Sequence, residues 1–226
     1  MQLHHLQHLA RAASGLTISQ QIIISGSAAL FLHFDQSSEM LTDRFEQIDI
    51  AQIIVTDNDD PEAKVRLLEA TLGRESAFYK QYGYGIEPIL SWDAILPSAW
   101  VRRLFAVNQN LRHNPSILTV SPTDVILGDM IQSPIKSISL ELVKNGLVET
   151  REMRQRTSNW TNLTASDRMS IYSQIQELDE LAREQDEKSV FLPFIEPFNT
   201  TTYSSSGSEN SKILPFHRPR AQSLRS

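Results

Sequence analysis

Three consecutive isoleucines, Ile22 to Ile24, run straight into Ser25-Gly26-Ser27 and then into Ala28-Ala29-Leu30-Phe31-Leu32. The first run is β-branched and apolar throughout, which suits a strand buried on both faces. The second is rich in alanine and leucine, which favours a helix. Between them the chain has three small residues in which to reverse, and glycine tolerates the backbone angles that a sharp turn demands. A helix that starts there presents free backbone N–H groups, a natural seat for phosphate. An ordinary strand-to-helix turn uses the same residues, so this stretch alone leaves both readings open.

The rest of the composition narrows the class. With 226 residues, 40% of them apolar, the chain suits one domain with appendages or two small domains. Its net charge of −6 supplies no global attraction to nucleic acid or to an anionic membrane. The absence of cysteine excludes disulfides, thiolate zinc sites and cysteine nucleophiles. No apolar stretch reaches the roughly 18 residues of a membrane span, and the N-terminal residues lack the apolar core of a secretion signal. The expectation is a soluble cytoplasmic protein without a membrane partner.

Hydrophobic periodicity predicts a helix over residues 2–13, with Leu3, Leu6, Leu9 and Ala10 on one face. His4 and His8 have the i, i+4 spacing of a metal pair, but no carboxylate accompanies them, so a packing or solvated role is expected. A second strand is read over residues 44–55. Asp60-Pro61 starts a helix that Gly73 ends. Residues 82–92 supply a strand or two, with Pro88 confining the stretch to a sheet edge. Pro97 opens an expected helix that turns Trp100, Leu104 and Val107 to the core. Residues 116–120 form a strand, after which Ser121-Pro122 caps a helix. Ser133-Pro134 repeats that signature for a helix ending at Gly146. A longer helix runs from Thr164, boxed with Asp167, to about Lys188. Asp57-Asn58-Asp59-Asp60 has the acidity of a calcium loop without its later glycine and glutamate, and reads as a solvated turn.

About twenty residues after Gly26-Ser27 comes Gln47-Ile48-Asp49-Ile50. On a strand, residues 47 and 49 share one face while Ile48 and Ile50 turn to the core. A carboxylate on a strand beside a glycine-serine helix start can hold Mg²⁺ against a nucleotide's phosphates, the arrangement used in phosphoryl and nucleotidyl transfer.

This order of strand, Gly-Ser, helix and acidic strand resembles the nucleotidyltransferase superfamily that includes DNA polymerase beta. More narrowly, it is similar to a bacterial branch of small nucleotidyltransferase-like domains, some related to toxin–antitoxin modules. The similarity extends to "ILPSAWVRRL" at 95–104, "LTVSPTDVILGDMI" at 118–131 and "ELVKNGLVETREMRQR" at 141–156, covering roughly residues 15–185. The resemblance implies an α+β fold, with a mixed sheet flanked by helices over residues 1–120 and a helical region over 121–188. Residues 189–226, polar and Ser/Thr-rich between two Pro-punctuated apolar islands, are expected to be a disordered tail.

The resemblance also implies roles. Gly26 and Ser27 would hold phosphate, Asp49 would bind metal, and Glu87 is the candidate third carboxylate. If active, the protein would transfer a nucleotidyl group from an NTP to an acceptor with Mg²⁺. The sequence departs from the family where its acidic pair should begin, since that residue is Gln47. Lys136-Ser137 stands where the family has Lys-Asp, and the family's lysine near Gly128-Asp129 is missing. A neutral carboxamide in place of an anionic ligand weakens divalent-ion binding, so reduced or lost activity is expected. The alternative is a non-catalytic, antitoxin-like interaction protein that keeps the fold as scaffold. It would bind a partner through the tail, whose Phe191, Phe194, Phe198 and Phe216 and Arg218, Arg220 and Arg225 suit a short linear ligand, unless the first island, "FLPFIEPF", folds back over the domain's own apolar surface. Arg102-Arg103 and the arginines of residues 151–156 leave a nucleic-acid contact open.

Overall fold

Ile22, Ile23 and Ile24 are all buried, which requires cover on both faces of the strand that carries them. A computed structural model supplies that cover. It describes residues 1–33, 48–56, 59–107, 115–133 and 137–190, with side chains through Glu184. The chain divides into two units, Met1–Phe191 and Leu192–Ser226. The expectations for Gln47 and for the tail beyond Val190 fall outside the described residues.

The elements of the first unit run α1 (Leu3–Thr17), β1 (Gln21–Ser25), α2 (Gly26–His33), β2 (Ile50–Val55), α3 (Pro61–Leu72), α4 (Ala77–Tyr82) and β3 (Gly85–Leu90). A 3₁₀ turn at Trp100–Arg103 precedes β4 (Phe105–Ala106) and β5 (Ser116–Thr119). Then follow α5 (Pro122–Gln132), α6 (Ser137–Lys144), α7 (Thr150–Ser158) and α8 (Ala165–Val190). The strands form one mixed sheet in the order β3-β2-β1-β5-β4. β1 pairs antiparallel with β2 and parallel with β5, β2 runs parallel to β3, and β4 is antiparallel to β5. This is the mixed α+β architecture expected from the sequence. β3 lies at a sheet edge, where Pro88 costs no ladder bond on its free side.

Helices α1 and α3 pack on each other and on β1, β2 and β3, while α2 packs on β1, β2 and α5. The sheet is therefore covered by α1 and α3 and by α2, which in turn packs on α5. α8 packs against α5, α6 and α7, and its Ile171, Ile175 and Leu178 are fully buried. Capping follows the sequence signals. The Asp60 side chain accepts from the Ala63 N–H at 3.1 Å, and Ser121 accepts from the Asp124 N–H at 3.2 Å. The Thr164 hydroxyl accepts from the Asp167 N–H at 3.1 Å.

One expected helix is absent. After Pro97 the chain makes only the short turn at Trp100–Arg103, because Ala99 adopts φ 60° and Phe105–Ala106 pairs with β5 instead. Trp100 is nevertheless buried, and Leu104 and Val107 pack partly against the core. Helix α4 had no clear sequence signal except Ser76, whose hydroxyl accepts from the Tyr79 N–H at 3.1 Å.

The arginines that suggested a basic surface mostly serve structure. Asp124, wholly buried in the first turn of α5, takes two bonds from Arg103, at 2.9 and 3.0 Å, and one ion pair from Arg156 at 2.8 Å. Arg156 also reaches Glu152, and Arg154 pairs with Asp179 on α8. This carboxylate therefore joins the segment before β4 to α5 and to α7. Asp124→Ala would strand two guanidinium groups and should lower stability by about 3–5 kcal/mol, read from urea unfolding at neutral pH. A change under about 1 kcal/mol would mean that the cluster is solvated and replaceable.

His33, at the end of α2, contacts the Thr119 hydroxyl at 2.9 Å and packs edge-on to Phe105. Burial holds its pKa below 6.5, with a bond to the Val120 backbone partly opposing that shift. A histidine whose folded pKa is depressed favours the folded state above its unfolded pKa, near 6.5. That preference is lost progressively as pH falls toward the folded value. The urea midpoint should accordingly decline below about pH 6.5, and His33→Asn should flatten that decline. An unchanged slope would place the titrating group elsewhere.

Candidate functional site

Gly26 takes φ +64°, so β1 gives way to α2 without an intervening loop. A Cβ built on Gly26 would lie 3.7 Å from Cβ of Gln52 and 3.8 Å from its Oε1. Space is therefore adequate, and the positive φ is what calls for glycine. The start of α2 stands over the middle of β2 and opens into a cleft of about 710 Å³.

The floor of this cleft is a row of side chains in register across three strands. Ser25 on β1 pairs with Gln52 on β2, and Gln52 pairs with Glu87 on β3. Register partners project to the same face, and all three line the cleft. Gln52 Nε2 lies 3.5 Å from a carboxylate oxygen of Glu87, a weak contact in which the amide donates. The carboxylate can only accept, so the amide nitrogen faces Glu87 and Oε1 faces Gly26. Ser25 is 3% exposed.

The walls mix apolar and acidic groups. Ile48, Ile50, Ile89, Ile95 and Leu96 form the apolar part. Glu69, Asp93 and Asp129 join Glu87 as carboxylates, and Arg74 is the lining cation among the described residues. Gly128 on α5 touches this wall closely: a Cβ there would fall 2.3 Å from the Ile95 carbonyl oxygen. α5 can approach the segment carrying Ile95 and Leu96 because that residue has no side chain.

The expected site residues divide. Gly26, Ser27 and Glu87 come together at the cleft. Asp49 is absent from its lining and is held by other groups. The Tyr79 hydroxyl donates to its Oδ2 at 2.5 Å, and Arg74 Nη2 lies 3.3 Å from its Oδ1. The bond to Asp49, aided by burial and the same negative charge, raises the Tyr79 pKa above 10.0. The Arg74 guanidinium carbon also sits 5.8 Å from the Tyr79 ring centre.

The strand phase corrects the sequence reading of Ile48 and Ile50. Both line the cleft, whereas Ala51 and Ile53 are the buried positions. The alternation is set by the buried residues of β2, which places Gln52 on the cleft face and residue 49 on the other. The signal that could have identified Gln52 was its place inside the apolar run, two residues ahead of Ile54.

The N-terminal histidines belong to a packed aromatic cluster. His8 Nδ1 is 2.8 Å from the Tyr84 hydroxyl, and the His5 ring stacks on Tyr84 at 4.2 Å between centres. No group of three or more His, Cys, Asp or Glu able to hold a metal ion occurs among the described residues. The described part of the acidic stretch at 57–60 serves α3, with Asp60 as its cap.

Gly26→Ala should cost about 1–2 kcal/mol through backbone strain, since a left-handed angle disfavours any Cβ, with little contribution from collision. Chemical denaturation of the two proteins measures the difference. Equal midpoints would contradict the positive φ at this turn.

No protein-family model, curated protein or solved structure matches the chain.

Proposed function

We propose that the chain is a nucleotidyltransferase-like binding module whose cleft serves as a ligand site without two-metal catalysis. What supports this reading is the residue beneath Gly26. Two-metal transfer needs adjacent anionic ligands, which bring two cations to roughly 3.5–4 Å separation. The β2 position facing the turn is Gln52, a neutral carboxamide, and its register partners are a serine and Glu87. Asp49, the carboxylate assigned to metal by resemblance, is engaged with Tyr79 and Arg74. The described residues do not fit a pair of Mg²⁺ ions, and no chemical step is assigned to such ions here.

The family resemblance supports the order of strand, glycine turn and helix, and the cleft supports binding. NTP transfer, an antitoxin-like role and a partner bound through the tail remain proposals of the sequence alone. The cleft reading has the additional support of a shaped volume and an aligned polar floor.

Paramagnetic resonance of Mn²⁺ tests the reading, with and without ATP. The wild-type chain should leave Mn²⁺ free at concentrations where Gln52→Asp, which sets a second carboxylate beside Glu87, begins to bind it. Strong Mn²⁺ binding by the wild type, lost in Asp49→Asn, would refute the reading and restore the metal role of Asp49. Gln47→Asp serves as the parallel test of the position suggested by sequence.

A further inference from the structure

We propose that the first turn of α1 is an acid-sensitive latch on α4 and β3, closed while His5 is neutral and released when its ring takes up a proton. The deciding contact is the cap of the helix. His5 Nδ1 accepts the Gln2 backbone N–H at 3.1 Å, which places the neutral ring's own proton on Nε2. A protonated imidazole is a donor at both nitrogens and has no acceptor left for that N–H. Proton uptake therefore removes the bond rather than weakening it.

Rings hold the same turn to its neighbours. His5 stacks on Tyr84, just before β3, with 4.2 Å between centres. His8 meets the Tyr84 hydroxyl through Nδ1 at 2.8 Å and packs against Phe78 and Tyr82 of α4, at 5.2 and 5.3 Å between centres. Tyr84 is buried, so these contacts anchor the start of α1 to the core. Helix α4 also carries Tyr79, whose hydroxyl holds Asp49, so release would reach that contact too.

Charge around the turn favours release. Helix α1 contains no acidic residue, while His4, His8 and Arg11 all lie within two turns of His5. A positive charge in the first turn also opposes the helix dipole. Of the elements around α1, β1 carries no charged side chain, α4 contributes Lys80, Tyr79 and Tyr82, and β3 contributes Glu87. Helix α3 contributes Lys64, Glu69 and the pair Glu62–Arg66 at 3.7 Å. None of these carboxylates acts on His5. Burial lowers its pKa from 6.5, and the charges of His4, the Met1 amine and His8 lower it further. Released into water, the ring returns toward its ordinary value, so the open form binds the proton more tightly. Closure is complete above about pH 6.5 and is lost as pH falls toward the lower value of the latched ring. Cation–π attraction to Tyr84 opposes release but cannot replace the missing acceptor at the cap.

Backbone hydrogen exchange of the untagged full chain, compared as protection factors at about pH 7.5 and about pH 5.0, tests the proposal. On acidification, protection of residues 5–9 and 78–82 should fall about tenfold further than that of residues 171–178 in α8, the effect of losing one hydrogen bond at the cap. His5→Gln supplies a carbonyl that accepts the same N–H and does not titrate, so it should abolish the excess loss. Tyr84→Phe keeps a ring under His5 while losing the bond to His8, and should retain it. Equal losses in α1 and α8 would overturn the proposal, as would no loss in α1. So would an excess loss that persists in His5→Gln or vanishes in Tyr84→Phe.

Discussion

The reversal at Gly26 is the constraint on which the rest of the site depends. A strand buried on both faces must pass into a helix at once, and φ +64° makes that possible without a loop. The turn sets the first residues of α2 above Gln52 and fixes which side of β2 faces open volume. The cleft, its floor and the separation of Asp49 from it all follow from that phase. Shifting a strand by one residue exchanges its two faces, so residues 49 and 52 cannot both point into the cleft from regular β2.

A second constraint holds the cleft's far wall. Asp124 is buried at the start of α5, where its carboxylate is favoured by the helix N-terminus and by Arg103 and Arg156. It ties the segment before β4 to the helical half of the unit. Gly128, one turn further along α5, then permits contact with the Ile95 carbonyl. The wall of the cleft is thus built from residues far apart in sequence, joined through one anion and one missing side chain.

Local signals carried much of the fold into the sequence. The Asp60-Pro61 and Ser121-Pro122 starts, the β1–α2 junction and the long helix after Thr164 were all readable, because caps and periodicity are local properties. Residues 98–107 misled because Ala99 is held at a positive φ and Phe105–Ala106 is recruited by β5, both consequences of tertiary pairing. Gly26, Ser27 and Glu87, singled out in the sequence, all line the cleft. Gln52 was not singled out, since its place beside them comes from register with Ser25 and Glu87. Asp49 was singled out by its charge, but its surroundings include Tyr79 and Arg74, whose approach depends on the docking of α3 and α4. The two arginine clusters read as surface charge for the same reason: their buried partner, Asp124, is 21 residues from Arg103 and on another element.

The account turns on which side chains face the ligand volume, and anomalous diffraction from crystals soaked in Mn²⁺ and ATP examines that directly. The account predicts no manganese peak bridging Asp49 and the start of α2, with Asp49 still bound to Tyr79 and Arg74. A peak coordinated by Asp49 and an ATP phosphate seated at Ser27 would contradict it.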